Sequence, residues 1–453
     1  MGDVFNIEIL SPTHIGNGNT LKPMDIGEHD GYVYIFNLDK VIEKIPENRL
    51  DEFTELIADF GSKNKITLGD MLSNRFGIKP DQWDSISLYK VKKTDSGRIH
   101  DIYEEMKFGN RVYMPGSSIK GVIRTAVIYQ FLKEEGYRFS IEQHNRIKYL
   151  QMVKPNGQNV GRVKNNKADL SIIESEIKKD MLMDDATKDI FKCLQVSDSL
   201  GVSAELCLEV RKIYVANTTS FTKHRGGRQI SMHPLFVELI ETEQVFGNVK
   251  IKVNNNVLEP LYKIHKSKRH IFEKIIDLIQ NWKACLVNFS QRLIESEIFF
   301  WEENRQIIEN NIKNAYKNSP HKYISDKFNS SEVVDHLKAI EQENQILIRL
   351  GKYSGYLTHS IGLLLAEDIS GDLYNLREFG EVLSKYNHPD LFPLTRRLTL
   401  DNQTLGWCRL VESNGDKNLD PEITKQAEPK RSKNLNKEDM LKAFKSKGWR
   451  IEE

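Results

Sequence analysis

The sequence predicts an α+β protein, and three observations predict it. Short alternating apolar segments open the chain, with Phe5, Ile7 and Ile9 separated by Asn6 and Glu8 and a second strand at residues 31–36. An extended run at 111–114 feeds through Pro115 and Gly116 directly into a helical pattern. A long helical region over about 260–350 then gives way to strand-like segments again.

Composition sets the outer limits. The chain has 453 residues, 39% hydrophobic and 28% charged, which suits a folded protein with a substantial core. Lys plus Arg number 65 against 64 for Asp plus Glu, so no whole-molecule field attracts nucleic acid and any polyanion site must be a local patch. Cys193, Cys207, Cys285 and Cys408 show no Cys-x-x-Cys pair and no finger-like His spacing, which predicts reduced thiols, a cytoplasmic setting and no structural zinc. The first ten residues have no leader-like pattern and no apolar run reaches bilayer length, so no membrane partner is expected.

After the second strand, residues 38–76 read as helical, with Val41, Ile42 and Ile45, then Phe53, Leu56, Ile57 and Phe60, at helical spacing. Lys90, Lys92, Lys93 and Arg98 around Asp95-Ser96-Gly97 predict a basic turn. The helix that follows Gly116 runs to about Glu135, and the polar stretch 140–190 reads as helical, interrupted by a loop at 154–161. Residues 204–215 and 235–245 read as the strands of a long hairpin. In the helical region Trp282, Phe289, Leu293, Phe299, Phe300 and Trp301 supply an apolar face. Residues 391–400 and 405–410 read as a closing strand pair, and the polar remainder from 413 to 453 as a tail.

Three places invite a polyanion. The strand-to-helix turn offers Gly116 and either Ser117 or Ser118 as cap, unpaired amides at a helix N-terminus, and Lys120 and Arg124 one turn apart. Two glycine loops, one with His14, Gly16 and Gly18 and one with Gly351, Lys352 and Gly355, would let a backbone approach closely. The hairpin tip carries Phe221 among Lys223, His224, Arg225 and Arg228, a mixture suited to stacking on a base while holding phosphates. Each also has a structural reading, as capped core helix, loop turn or solvated surface.

Three of these stretches together resemble the RAMP superfamily of CRISPR proteins: Ser11-Pro-Thr-His-Ile-Gly-Asn-Gly18, Met114-Pro-Gly-Ser-Ser-Ile-Lys-Gly-Val-Ile-Arg124, and the loop around Gly351 and Gly355. The closing Leu405-Gly-Trp-Cys-Arg-Leu410, the helical insertion and the length are most similar to the fifth-subunit family of the type III-A Csm effector complex. The resemblance implies a ferredoxin-like, RRM-related antiparallel sheet that carries the first strand, the anchor helix and the late strands, with a large helical insertion. It divides the chain into a core at 1–259, a helical lobe at 260–350, core-completing strands at 351–412 and the tail.

It further implies a non-catalytic RNA-binding subunit that caps the 3′ portion of single-stranded CRISPR RNA and supports guide maturation and complex assembly. Its implied partners are CRISPR RNA, target RNA, the other Csm subunits, above all the backbone RAMP subunits, and maturation nucleases. His14, Gly16, Gly18, Gly116, Ser117, Ser118, Lys120, Arg124, Gly351, Lys352 and Gly355 are the implied RNA contacts, and Phe221, Lys223, Arg225 and Arg228 would lie on a thumb that kinks the pairing of guide and target. The opposing possibility is a metal-independent endoribonuclease of CRISPR repeats, with His14 as general acid or base. One histidine with no second near in sequence does not make that chemistry, and Asp25 and Asp30 lie in a loop that departs from the cleaving aspartate loop of related subunits. No phosphate-binding Gly-x-x-x-x-Gly-Lys-Ser/Thr loop or nucleophile elbow is present, and no cofactor or metal is expected.

Overall fold

The computed structural model describes residues 2–58, 66–145, 147–164, 167–168, 171–217, 233–317, 319–342, 344–370 and 395–413. Its elements in chain order are β1 (Asp3–Ile9), β2 (Tyr32–Phe36), β3 (Ser87–Lys93), α1 (Gly116–Glu134), β4 (Arg138–His144), β5 (Ile147–Val153), α2 (Ser171–Asp180), β6 (Leu194–Val196), β7 (Leu208–Asn217), β8 (Leu235–Ile240) and β9 (Val245–Val253). They continue with α3 (Asn255–Ile264), α4 (Arg269–Gln280), α5 (Trp282–Glu303), α6 (Arg305–Tyr316), α7 (Ser330–Ile340), β10 (Ile346–Arg349), β11 (Thr395–Thr399) and β12 (Trp407–Glu412).

Five strands form an antiparallel sheet in the order β6-β9-β1-β12-β10. The period-two pattern of β1 decides its faces: Phe5, Ile7 and Ile9 are buried, while Glu8 on the other face pairs with Arg409 of β12, Nε to Oε2 2.8 Å. Helices α1 and α5 pack on this sheet and on each other. Phe5 meets Trp282 edge-on at 5.4 Å and Tyr129 of α1 meets Phe289 of α5 in the same way, so one apolar cluster joins sheet and helices. The first strand and the late strands β10 and β12 thus share one sheet with the anchor helix packed on it, whereas the late strand β11 lies in the second sheet.

A second, curled sheet runs β8-β7-β3-β2, with short strands Thr20–Leu21 and Ile102–Tyr103 beyond β8 and Ile26–His29 beyond β2. The expected hairpin is present: β7 and β8 pair antiparallel from Leu208↔Ile240 to Ile213↔Leu235. Its tip, with Phe221, Lys223, Arg225 and Arg228, lies outside the described residues. This sheet also holds parallel pairs, β7 with β3 and β8 with Ile102–Tyr103.

Four readings need correction. The polar stretch after α1 is not helical until α2, because β4 and β5 form a hairpin from Val153↔Arg138 to Ile147↔His144. Phe139, Leu150 and Met152 bury at alternate positions, a period-two signal that the surrounding charges mask. The closing strands do not pair with each other along their length: β11 joins β7 in the second sheet, whereas β12 joins β1 in the first, with one bridge, Leu398↔Thr404, between them. The lysines of the basic turn stand on β3 rather than in the turn, and each has a carboxylate partner, Lys90 with Asp84 at 2.8 Å, Lys92 with Glu209 at 2.9 Å and Lys93 with Glu28. Finally, neither Ser117 nor Ser118 caps α1, which begins at Gly116 with Pro115 as its cap residue.

One buried ionic junction ties α5 to both sheets. Glu297 of α5, Arg349 of β10 and Arg396 of β11 are all nearly inaccessible, with Arg396 Nε 3.1 Å and Arg349 Nη1 3.6 Å from the Glu297 carboxylate. Arg396 also stands over Phe300 at 3.9 Å and Arg349 over Trp407 at 5.0 Å.

Candidate nucleic-acid interface

The strand-to-helix turn is laced to the end of β6. Met114 N–H donates to Ser199 Oγ at 2.9 Å, Ser199 N–H donates to Met114 O at 3.0 Å, and Gly116 N–H donates to Asp198 Oδ1 at 2.7 Å. A Cβ on Gly116 would stand 2.4 Å from Val196 O, so only glycine lets the helix start this close to the neighbouring strand. The amide expected to meet a phosphate therefore already has a carboxylate, and the helix dipole favours it. One turn further, Arg124 pairs with Asp189 at 3.0 Å and lies 5.1 Å over Phe191. Lys120 is half-buried, and burial holds its ammonium below the usual lysine range, with Asp189 opposing. Ser117 is exposed and Ser118 half-exposed in the first turn.

The two glycine loops, some 330 residues apart in sequence, are in direct contact. Lys352 N–H donates to His14 O at 2.9 Å. A Cβ on Gly351, whose φ is +96°, would stand 2.2 Å from that same carbonyl oxygen, so close approach and backbone conformation both demand glycine. Gly18 and Gly355 are exposed, with nothing within 4 Å of a built Cβ.

His14 holds this junction from inside. It is 2% exposed; its Nδ1 lies 2.9 Å from Glu238 O and 3.2 Å from Glu105 Oε2, and its ring stacks on Tyr353 at 5.3 Å. Both neighbours of Nδ1 are acceptors, so Nδ1 carries a proton and donates. Glu105 in turn accepts from the amides of Ile15, at 2.9 Å, and Gly16, at 3.2 Å. Glu238 accepts from Glu105 N–H at 2.8 Å and from Tyr89 Oη at 2.7 Å, and pairs with Lys107. Burial, reinforced by Glu238, raises the Tyr89 hydroxyl far above its usual range, so it stays a donor. The histidine that sequence reasoning placed against RNA thus presents no ring edge to solvent; it orders the loop that does face solvent.

Around this junction the surface is basic and aromatic. Lys352 is exposed, with Nζ 4.8 Å over Tyr103 and 5.7 Å over Tyr353. Arg397 of β11 lies 4.9 Å over the Tyr353 ring. Burial pushes the Tyr353 hydroxyl up to about 12, against the pull of Arg397. The turn Tyr356–His359 after Gly355 packs against α1, which brings the anchor helix beside the second loop.

Of the residues expected at the site, the structure joins His14, Gly16, Gly351 and Lys352 in one junction and places Gly116, Lys120 and Arg124 against internal carboxylates. It adds Tyr103, Tyr353, Arg397, Glu105, Asp189 and Asp198. Arg397 and Tyr353 were visible as a basic strand and an aromatic within a glycine loop. Nothing in the sequence marks Glu105 as the partner of residues ninety positions earlier. Among the described residues no group of three or more His, Cys, Asp or Glu could hold a metal ion, and no helix is long and apolar enough to cross a membrane.

The antiparallel sheet backed by α1 and α5, with the two glycine loops in contact, is an α+β fold of the RAMP kind. The sequence profile of the RAMP superfamily matches residues 6–356, and the chain belongs to that superfamily. Within it the chain is similar to the CRISPR system Cms protein Csm5 of Methanocaldococcus jannaschii, with 23% identity over 426 residues covering 89% of this chain and 87% of that protein. Its fold is also that of the crystal structure of T. onnurineus Csm5, TM-score 0.53 at 21% identity over 89% of this chain and 99% of that one. A chain in the cryo-EM structure of a Csm–crRNA–target RNA ternary complex of a type III-A CRISPR-Cas system gives a TM-score of 0.56 at 21% identity, covering 91% of this chain and 100% of that one.

Proposed function

We propose that this chain is a non-catalytic, cytoplasmic RNA-binding subunit of a type III-A CRISPR Csm complex. In this reading it covers the 3′ part of the single-stranded CRISPR RNA, beside target RNA and the backbone RAMP subunits, and supports guide maturation and assembly, with maturation nucleases as transient partners. The observation that carries it is the contact between the Gly16 and Gly351 loops under an exposed Lys352, in a fold shared with Csm5 proteins. Close-packed backbone with exposed glycines and cations suits phosphate and ribose contacts, which position RNA without reading its sequence.

The endoribonuclease reading meets an obstacle in His14, whose ring is buried and whose Nδ1 is committed to Glu238 and Glu105. A general base must reach a 2′-hydroxyl. The purified protein incubated with CRISPR-repeat RNA in EDTA should leave it intact, and capture of the tagged protein from its own cell should recover guide RNA with the other Csm subunits. Cleavage that disappears in His14→Gln would overturn the proposal.

Lys120 and Arg124 belong to this surface if Arg124 exchanges Asp189 for a phosphate. Asp189→Asn should then tighten single-stranded RNA binding. Lys120→Ala with Arg124→Ala should lower the slope of log K against log salt by about 1.4, at roughly 0.7 per contact. A slope unchanged in the double variant removes both residues from the interface.

A further inference from the structure

Four arginines on the strands of the two sheets have carboxylate partners. Arg211 meets Glu241 and Asp401, Arg349 and Arg396 meet Glu297, and Arg409 meets Glu8. Arg397 differs. It is half-buried on β11, pointing to the opposite side of the strand from Arg396, and no described carboxylate pairs with it. Its electrostatic neighbours are Tyr353, Tyr103 and Tyr316. Burial raises the hydroxyls of Tyr353 and Tyr316, so both are neutral at neutral pH and supply no counter-charge. Burial accordingly disfavours the charged guanidinium and pushes its proton affinity down.

A second cation makes the arrangement more costly. Lys352 Nζ lies over the same Tyr353 ring, so two positive groups meet one aromatic side chain, and among the described residues neither has a carboxylate partner. Half-buried charge is tolerated when a ligand completes it. The planar guanidinium fork suits an oxyanion, and the tyrosine faces suit a stacked base or ribose beside it.

We infer that Arg397 and Lys352, held on Tyr353 and Tyr103, form a phosphate subsite that takes one internucleotide phosphodiester of single-stranded RNA. This rests on the RNA-binding reading above. It adds that Arg397 is the principal phosphate contact of the glycine-loop junction, and that Tyr353 positions it while itself being fixed by stacking on His14. The path of the RNA then crosses the second sheet at β11 as well as the loops.

The test uses the full chain. Binding of a short single-stranded RNA is followed by fluorescence anisotropy over a range of salt for wild type, Arg397→Gln and Arg397→Lys, and thermal melting is recorded with and without inorganic phosphate. Arg397→Gln should lose about tenfold in affinity and about 0.7 in salt slope. Arg397→Lys should keep the slope with part of the affinity, since it retains the charge and not the fork. Without phosphate Arg397→Gln should melt at or above wild type, because no described carboxylate pairs with the charge removed, and phosphate should raise the melting temperature of wild type more than that of the variant. An unchanged RNA slope together with a lower melting temperature makes Arg397 a structural cation and overturns the inference. If wild type binds no RNA, the functional reading falls; an Arg397-dependent phosphate shift would then still support an anion subsite, and its absence would overturn it. Arg397-dependent binding of polyglutamate without RNA binding assigns the site to an acidic protein segment and overturns it as well.

Discussion

Glu297→Ala should destabilise the fold by about 3–5 kcal/mol, read as a lower denaturant midpoint, because it leaves two buried guanidinium groups without their carboxylate. The large expected effect comes less from the attraction lost than from Arg349 and Arg396 remaining inside a junction that water does not reach. Burial opposes ionisation of Glu297, but Arg396 and Arg349 outweigh it and hold the carboxyl below the usual range. The sign for pH follows. A carboxyl whose folded value is depressed contributes its stability fully above the ordinary glutamate value of 4.5 and loses it as pH falls through the folded value. Acid unfolding of wild type should therefore steepen below that point, and Glu297→Gln should flatten the profile there. An equal acid dependence in wild type and Glu297→Gln would show that this junction is not the titrating element.

Gly351→Ala should cost about 2–5 kcal/mol and weaken RNA binding together with stability. The methyl group would meet His14 O at 2.2 Å, and a main-chain carbonyl cannot rotate aside as a flexible side chain can. The Lys352 to His14 hydrogen bond that joins the two loops would open with it. Gly355→Ala is the control: it shares a positive φ, +94°, but its Cβ would meet nothing, so only the backbone term of about 1 kcal/mol applies. Similar losses in the two variants, measured by chemical denaturation, would mean that loop conformation rather than loop contact sets the junction.

Local patterns were legible where a single element decides them. The alternation of Phe5, Ile7 and Ile9, the break at Pro115-Gly116 before a helix, and the paired strands of β7 and β8 follow from periods and turn residues that each segment carries within itself. The β4–β5 hairpin was misread because charge density hid a period of two, and the closing strands were misread as partners because adjacency in sequence does not decide which sheet a strand joins.

By itself, then, the sequence determined the α+β class, the anchor helix after Pro115, and the two glycine loops as places where backbone could be approached. The tertiary structure alone decided that those loops meet, that His14 faces inward to Glu105 and Glu238, that Asp198 and Asp189 occupy positions expected for phosphates, and that no carboxylate among the described residues pairs with Arg397. The physical reason is the same in each case. Hydrogen bonds and ion pairs depend on distances between atoms, and residues hundreds of positions apart acquire those distances only when the sheets order the strands that carry them.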